Sequence, residues 1–221
     1  MPAPLIDLEA IDFAYAADRP VLGNASLRLA AGERVGLSGP TGSGKTTLLH
    51  LMVGLLRPTA GRLVAFGSER RTEDDFYEVR CRAGLLFQDA DDQLFCPTVL
   101  EDVAFGPLNL GVPREEARRR VAGILERLEL AGYEHRITDQ LSGGDKRLVA
   151  LAAVLAMEPE VLLLDEPTTG LDAHFTARLT EILVALPQAM LIVSHDRDFL
   201  AATATRRIRL FGGSLREDGP F

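Results

Sequence analysis

One stretch of eight residues limits what this chain can fold into more than any other feature of its sequence. It follows the pattern G-x-x-x-x-G-K-[ST] and consists of Gly39, Pro40, Thr41, Gly42, Ser43, Gly44, Lys45 and Thr46. Residues 33–38 before it predict a short strand, and the apolar stretch 45–56 after it predicts a helix that 57–61 stops. Glycines let the backbone wrap closely around an anion, because a side chain would collide with it. A strand, this loop and a helix are therefore typical of a phosphate-binding loop in an α/β protein.

The polar groups of this loop suit a nucleoside triphosphate. Its backbone N–H groups and the start of the following helix present positive charge to phosphates. Lys45 can reach the β- and γ-phosphates, Thr46 can offer its hydroxyl to Mg²⁺, and we include the adjacent Thr47 among the nucleotide-binding residues. A glycine loop with no ligand is the alternative, and the flanking strand and helix argue against it.

Two carboxylates follow an apolar run further along the chain. Residues 161–164 are all apolar, which predicts a strand buried on both faces, and Asp165 and Glu166 come directly after it. Open α/β sheets bind ligands at the carboxyl ends of their strands. We expect Asp165 in the Mg²⁺ shell, directly or through water, and Glu166 polarising a water in line with the γ-phosphate. Alone, the pattern fits a plain turn equally well; beside the phosphate-binding loop it indicates nucleotide hydrolysis.

A second candidate anion site lies between these motifs. Ser142, Gly143 and Gly144 precede a predicted helix, and Asp145 stands 21 residues before Glu166. A serine and two glycines at a helix start leave backbone N–H groups available to an anion. Ser142 alone would be an ordinary N-cap. Two such elements far apart in one chain predict two chains facing each other head to tail, each lending this element to the other's ATP.

The rest of the pattern predicts the layers around these motifs. Alternating apolar residues in about the first 30 positions predict antiparallel strands, and residues 62–66 and 84–88 predict two more. Residues 89–158 are mostly helical in character, including a helix that Pro113 opens and that continues to residue 130. After 161–164 the chain alternates between helix and strand to residue 211. This alternation predicts a mostly parallel sheet with helices on both sides.

Composition excludes several classes of protein. A net charge of −8 over 221 residues argues against nucleic acid as a partner, because a phosphate-tracking protein usually carries a basic surface. Cys81 and Cys96 have neither a metal-ligand spacing nor a disulfide framework, so we expect reduced thiols in the cytosol. The start of the chain lacks a signal-peptide pattern. The longest nearly apolar run, 148–157, is ten residues, whereas a spanning helix needs about 20. Any membrane association is therefore expected to depend on a partner.

The order and spacing of these motifs resemble the ABC transporter ATPases over nearly the whole chain. Residues 39–46 resemble Walker A, 161–165 Walker B and 141–145 the LSGGQ signature, with Asp145 standing where glutamine is commonest. The resemblance implies a P-loop NTPase (RecA-like) ABC ATPase core with an antiparallel β subdomain and a helical subdomain. It implies one nucleotide-binding domain over 1–221, with the helical subdomain at about 89–158.

The same resemblance implies roles for four more residues. Gln88 matches the Q-loop glutamine, Asp172 the D-loop and His195 the switch histidine, while Tyr15, 30 residues before Lys45, matches the aromatic that stacks on adenine. It implies ATP and Mg²⁺ as cofactors, with Glu166, His195 and Gln88 catalytic and with Thr46, Gln88 and Asp165 at the metal. Taken singly, Tyr15 could equally be a strand packing residue, and His195 an ordinary loop histidine.

The segment 87–107 more closely resembles the energy-coupling-factor importers, specifically the CbiO/NikO ATPases of cobalt and nickel uptake. This implies a transmembrane coupling subunit that contacts about 88–97, a substrate-binding membrane subunit reached indirectly, and a place at the cytoplasmic face of the cell membrane. Leu94, Phe95 and Pro97 are apolar residues among acids, which a partner helix would bury. The alternative is that they pack within the chain's own helical part.

Several points stay open at this stage. Many relatives carry a further carboxy-terminal segment, and the sequence ends at Phe221, so it gives no support for dimerisation through such a segment. The second ATPase subunit could be identical or a related paralogue, and the cargo could be cobalt, nickel or a vitamin. An ABC exporter and a soluble ribosome-associated ABC ATPase are the remaining alternatives. Residues 194–200 resemble the ribosome-associated class, but its members usually join two such domains in one chain. A chromosome or repair ATPase would need a long coiled coil between Lys45 and Asp165, and none fits there.

Overall fold

The computed structural model describes residues 3–219, and over that part the chain forms ten strands and seven α-helices. The strands are β1 Ile6–Ala16, β2 Arg19–Leu29, β3 Arg34–Ser38, β4 Ala60–Ala65, β5 Ser68–Glu69, β6 Ala83–Leu86, β7 Val161–Asp165, β8 Ala189–Val193, β9 Arg206–Phe211 and β10 Ser214–Glu217. The helices are α1 Lys45–Met52, α2 Glu73–Arg82, α3 Val99–Asn109, α4 Arg114–Arg127, α5 Gly143–Leu155, α6 Ala173–Ala185 and α7 Arg197–Thr203. A short 3₁₀ turn spans Thr138–Gln140.

The chain divides into two compact units. The first, called the sheet unit below, contains the chain up to residue 85, residues 160–166 and the chain from residue 187 on. The second, called the helical unit, contains residues 86–159 and 167–186, and therefore α3 to α6. The sequence-based boundary of about 89–158 for a helical subdomain remains a prediction.

Two sheets form the sheet unit. One has the strand order β2-β1-β4-β5, and its neighbours are antiparallel, as the alternating amino-terminal pattern predicts. The other has the order β10-β9-β3-β8-β7-β6. Within it β9, β3, β8 and β7 are mutually parallel, and β10 closes an antiparallel hairpin with β9. The mostly parallel sheet expected from the sequence is confirmed.

One buried apolar cluster joins both sheets to α1 and α2. Its members include Ile6 and Leu8 of β1, Leu37 of β3 and Leu48 of α1, each of which is at most 1% exposed. All five residues of β7 are buried, as expected for a strand covered on both faces. This cluster fixes the position of β3 and α1 on either side of the glycine-rich loop.

Two helices of the sheet unit differ from the sequence-based expectation. The first, α1, ends at Met52 rather than at residue 56, because Gly54 has a φ of +75° and no room for a Cβ beside the Phe76 ring. The second, α2, was not predicted at all. It is polar and buries only Phe76 and Val79, but a capping box between Thr72 and Asp75 begins it.

The helical unit is built around α3, α4 and α5, which pack against one another. The predicted helix after Pro113 begins at Arg114 and ends at Arg127, three residues before the expected end. Its buried stripe contains Val121 and Leu125. No helix among residues 3–219 is long and apolar enough to cross a membrane.

A buried carboxylate organises the start of this unit. Asp102, only 4% exposed, accepts hydrogen bonds from the backbone N–H groups of Phe95 and Cys96 at 3.0 Å and from the Thr138 hydroxyl at 3.1 Å. Burial and this carboxylate raise the pKa of the Cys96 thiol to about 11, so the thiol stays protonated. Cys96 and Cys81 are both free. Asp102 therefore holds the backbone of residues 95 and 96 in one conformation.

We predict that Asp102→Ala destabilises the fold by about 2–4 kcal/mol, because three buried donors lose their acceptor. The urea unfolding midpoint of the purified protein measures this. Asp92→Ala, which removes an exposed carboxylate nearby, should change stability by less than about 0.5 kcal/mol. Equal midpoints for the two variants would show that the Asp102 network does not stabilise the fold.

Candidate functional site

Three strands of the parallel sheet bring the predicted residues to one edge. Leu37 of β3 and Asp165 of β7 are both in register with Val193 of β8. The backbone N–H of Glu166 donates to Val193 O at 2.9 Å, and that of Ser194 donates to Leu37 O at 3.2 Å. The loops after β3, β7 and β8 therefore leave the sheet side by side, at the edge where α/β sheets bind ligands.

The glycine-rich loop is exposed at Pro40, Thr41 and Gly42 and packs closely against its neighbours at Gly44. A Cβ on Gly44, whose φ is +102°, would lie 2.6 Å from a methyl carbon of Val21. The Lys45 ammonium donates to the carbonyl oxygens of Gly39 at 3.0 Å and Pro40 at 3.1 Å, which holds it across the mouth of the loop. The Ser43 hydroxyl is buried and has no hydrogen-bond partner among the described residues. The loop thus contains an ammonium and this hydroxyl, the kinds of donor from which phosphate oxygens accept hydrogen bonds.

Two of the three residues expected at the metal are in contact. The Thr46 hydroxyl donates to Asp165 Oδ2 at 2.7 Å. Asp165 Oδ1 is buried, and within residues 3–219 it has no hydrogen-bond partner. Burial raises the pKa of Asp165, and the Thr46 hydrogen bond acts in the opposite direction. A buried carboxylate oxygen with no donor, next to a hydroxyl, fits a hard divalent cation such as Mg²⁺. Gln88 belongs to the helical unit, so its place at the metal stays a prediction.

Glu166 and His195 form a direct pair. Glu166 Oε2 lies 2.8 Å from His195 Nδ1 and accepts the His195 backbone N–H at 3.3 Å. Glu166 is 8% exposed, while the His195 side chain is 72% exposed. Glu166 also has a φ of +46°, a conformation that non-glycine residues rarely adopt and that costs about 1–3 kcal/mol. In this backbone conformation the Glu166 carboxylate contacts His195.

Tyr15 lies beside the first turn of α1. Its hydroxyl is 3.0 Å from Thr47 Oγ1, and its ring packs edge-on against Phe13 with centroids 5.0 Å apart. Tyr15 is nevertheless 62% exposed, so a face of the ring is available for stacking. The sequence places Tyr15 and Thr47 on separate elements and contains no signal for their hydrogen bond.

The second anion element lies at the start of α5 in the helical unit. Ser142 caps the helix: its Oγ accepts the Asp145 N–H at 3.2 Å and donates to Asp145 Oδ2 at 2.7 Å. A Cβ on Gly144 would lie 2.5 Å from the Phe175 ring, so the position accepts only glycine, whereas Gly143 faces open space. Asp172 caps α6 by accepting the Phe175 N–H at 2.8 Å. Ser142 and Asp172 are thus both N-caps, and the assignment of Ser142 to an anion site stays a prediction.

Residues 87–93 are tied to α5 within the same unit. Arg147, 4% exposed, donates to the carbonyl oxygens of Phe87 at 2.6 Å and Gln88 at 2.5 Å. Lys146 pairs with Asp91 at 2.5 Å. Sequence reasoning missed both contacts; the one available signal was two adjacent cations at the start of an otherwise apolar helix.

The apolar residues expected to face a partner divide into two groups. Leu94 is only 7% exposed, so for this residue the structure favours the alternative of burial within the chain over a partner surface. Phe95 is 67% exposed, with its ring edge-on to Phe105 at 4.8 Å, and Pro97 is exposed as well. Beside them, between α3 and α4, lies a groove of about 590 Å³ whose lining includes Pro97, Phe105 and Leu108.

Comparisons with known proteins agree with this geometry. Residues 22–169 match the family model described as ABC transporter. An ABC transporter ATP-binding protein of Brucella suis biovar 1 is 52% identical over 212 residues, which cover 96% of this chain and 88% of the relative. The energy-coupling factor transporter ATP-binding protein EcfA of Methanothermobacter thermautotrophicus is 42% identical over 219 residues, covering 97% of this chain and 70% of the relative. The cobalt import ATP-binding protein CbiO of Rhodobacter capsulatus is 45% identical over 220 residues, covering 98% and 79%.

Solved structures show the same fold. The structure of cbiO1 from Clostridium perfringens, described as part of the ABC transporter complex cbiONQ, has a TM-score of 0.89 at 32% identity and covers 98% of this chain and 88% of that chain. A bacterial ABC transporter cassette solved as a dimer has a TM-score of 0.84 at 29% identity and covers 98% of this chain and 100% of that chain. The chain therefore belongs to the ABC transporter family and is one of its ATP-binding, ATP-hydrolysing cassettes.

Proposed function

We propose that this chain is the ATPase subunit of an energy-coupling-factor importer for a transition metal ion, cobalt or nickel. Its similarity to EcfA and CbiO proteins supports the importer class, and the name of the CbiO relative supports the metal. The observation that carries the proposal is the exposed Phe95, whose ring packs against Phe105 of the neighbouring groove, on the segment that resembles this class. An aromatic and a groove of this kind suit an apolar helix of a membrane subunit. The chain is then held peripherally at the cytoplasmic face of the membrane by that subunit.

The proposed active unit is two chains around two ATP molecules. Lys45, Ser43 and the loop N–H groups of one chain hold the phosphates, while Ser142 and Gly144 of the other chain contact the γ-phosphate. Tyr15 stacks on the adenine. ATP binds the closed pair better than the open pair, because only the closed pair supplies both sets of contacts. The second chain is an identical copy or a related one.

Hydrolysis depends on residues gathered at one sheet edge. Thr46 and Asp165, with Gln88 as a further proposed ligand, would hold Mg²⁺, which would supply positive charge against the phosphates. Glu166 orients the attacking water and accepts its proton, and His195 holds the Glu166 carboxylate in place. Loss of the γ-phosphate removes the bridge to Ser142 of the other chain, so the pair opens.

Movement passes to the membrane subunit through the helical unit. Ser142 sits at the start of α5, and Lys146 and Arg147 of that helix hold Asp91 and the backbone of residues 87 and 88. A displacement of the α5 start is therefore transmitted to the segment that carries Phe95. Asp172 at the start of α6 completes the interface between the two chains.

We predict that Lys45→Ala weakens ATP binding by about 30-fold or more, because one charge-assisted contact to the phosphates is lost. Isothermal titration of the purified protein with Mg²⁺–ATP measures the affinity. Arg127→Ala, an exposed cation of the helical unit, should leave it unchanged. An unaltered affinity in Lys45→Ala would show that this lysine does not hold the phosphates.

We predict that cells expressing the membrane partners with this chain accumulate labelled cobalt or nickel, and that Glu166→Gln abolishes the accumulation. Glutamine has nearly the same size and shape as glutamate, but it cannot accept the proton from water. A paired assay with labelled vitamins tests the alternative cargo. Metal uptake that is the same with and without the intact glutamate would overturn the metal assignment, and vitamin uptake that needs the glutamate would replace it.

A further inference from the structure

Asp145 is the one residue of the signature segment whose side chain bonds directly to the hydroxyl expected to meet the partner's nucleotide. Ser142 Oγ donates to Asp145 Oδ2 at 2.7 Å, and the Tyr133 hydroxyl donates to Asp145 Oδ1 at 3.4 Å. Ser142 is exposed, and Asp145 is half-buried beneath it. The carboxylate therefore lies directly behind the surface that the proposed function assigns to a γ-phosphate.

A serine hydroxyl has a single proton to donate. In the structure that proton is directed to Asp145, and the backbone N–H of Asp145 occupies an acceptor site on the same oxygen at 3.2 Å. Towards the solvent, Ser142 Oγ can then act only as a hydrogen-bond acceptor. A γ-phosphate is itself only an acceptor, so it can bind Ser142 only if the proton turns away from the carboxylate.

The charges next to Asp145 do not remove this conflict. Lys146 makes its short contact with Asp91, and Arg147 directs two donors at the carbonyl oxygens of residues 87 and 88. The hydrogen bond to Asp91 raises the pKa of Lys146, as expected for an ammonium committed to that carboxylate. In these contacts neither cation is bonded to Asp145, whose carboxylate keeps the Ser142 proton.

We infer that Asp145 is a positioning residue that opposes ATP-driven closure of the two chains by competing with the partner's γ-phosphate for the Ser142 proton. The inference rests on the proposed two-chain site. Asp145 thereby makes the signature segment favour the open pair. ADP does not counteract this preference, because it has no γ-phosphate to compete for the Ser142 proton. A closed pair contains two such contacts, so the effect of Asp145 acts twice.

The test measures the Mg²⁺–ATP concentration that converts half of the purified chains to dimers, on a Glu166→Gln background that prevents turnover. Sedimentation gives the monomer and dimer fractions. We expect Asp145→Asn to lower this concentration by about fivefold or more, because the charge-assisted hydrogen bond that holds the Ser142 proton is weakened at each of two sites. Asp145→Gln serves as a second variant of the same kind. The affinity of the monomer for ADP should stay the same in both.

Two further variants separate the proton competition from other causes. Asp139→Asn removes an exposed charge of the same unit and should shift the dimerisation concentration by less than about twofold. Ser142→Ala should weaken dimerisation, and adding Asp145→Asn to it should bring no gain. If Asp145→Asn still tightens dimerisation when Ser142 is alanine, the inference is overturned. It is also overturned if neither amide variant tightens dimerisation while Ser142→Ala still weakens it. In both cases the proposed two-chain site stands. Dimerisation unaffected by Ser142→Ala would overturn the proposed two-chain site as well.

Discussion

The parallel register of β3, β8 and β7 is the constraint on which the rest of the sheet unit depends. Leu37 and Asp165 both pair with Val193, so the loops after the three strands leave the sheet at the same position along the strands. A register slip of one residue would move every side chain of the shifted strand to the opposite face of the sheet. It would separate Asp165 from Thr46, whose hydroxyl now lies 2.7 Å from the carboxylate. The apolar packing that fixes this register therefore also sets the distances needed for phosphate chemistry.

The parts of the site that the sequence predicted are those specified by local pattern. Glycines at fixed spacing predicted the loop, and an apolar run predicted β7 with its two carboxylates. Contacts that depend on where one element packs on another were missed, such as Tyr15 with Thr47 and Arg147 with the carbonyl oxygens of residues 87 and 88. The end of α1 was also placed too late, because Gly54 rather than the later Pro58 stops it. These features follow from packing, which a single sequence does not display.

The two units contribute different halves of the proposed chemistry. The sheet unit contains the phosphate loop, the acidic pair and His195. The helical unit contains Ser142 at a helix start, joined through α5 to the segment that carries Phe95. In the proposed account, one ATP therefore joins the sheet unit of one chain to the helical unit of another. Asp145 then sets how strongly ATP favours that closed pair.

The most direct test of this account mixes two inactive chains on the Glu166→Gln background, one carrying Lys45→Ala and the other Ser142→Ala. If the site is shared between chains, the mixed pair contains one intact Lys45 facing one intact Ser142, although neither chain has both. The account predicts that the mixture retains about one tightly bound ATP per pair, while each variant alone retains none. Absence of retained ATP in a mixture shown to form mixed pairs would contradict the shared site.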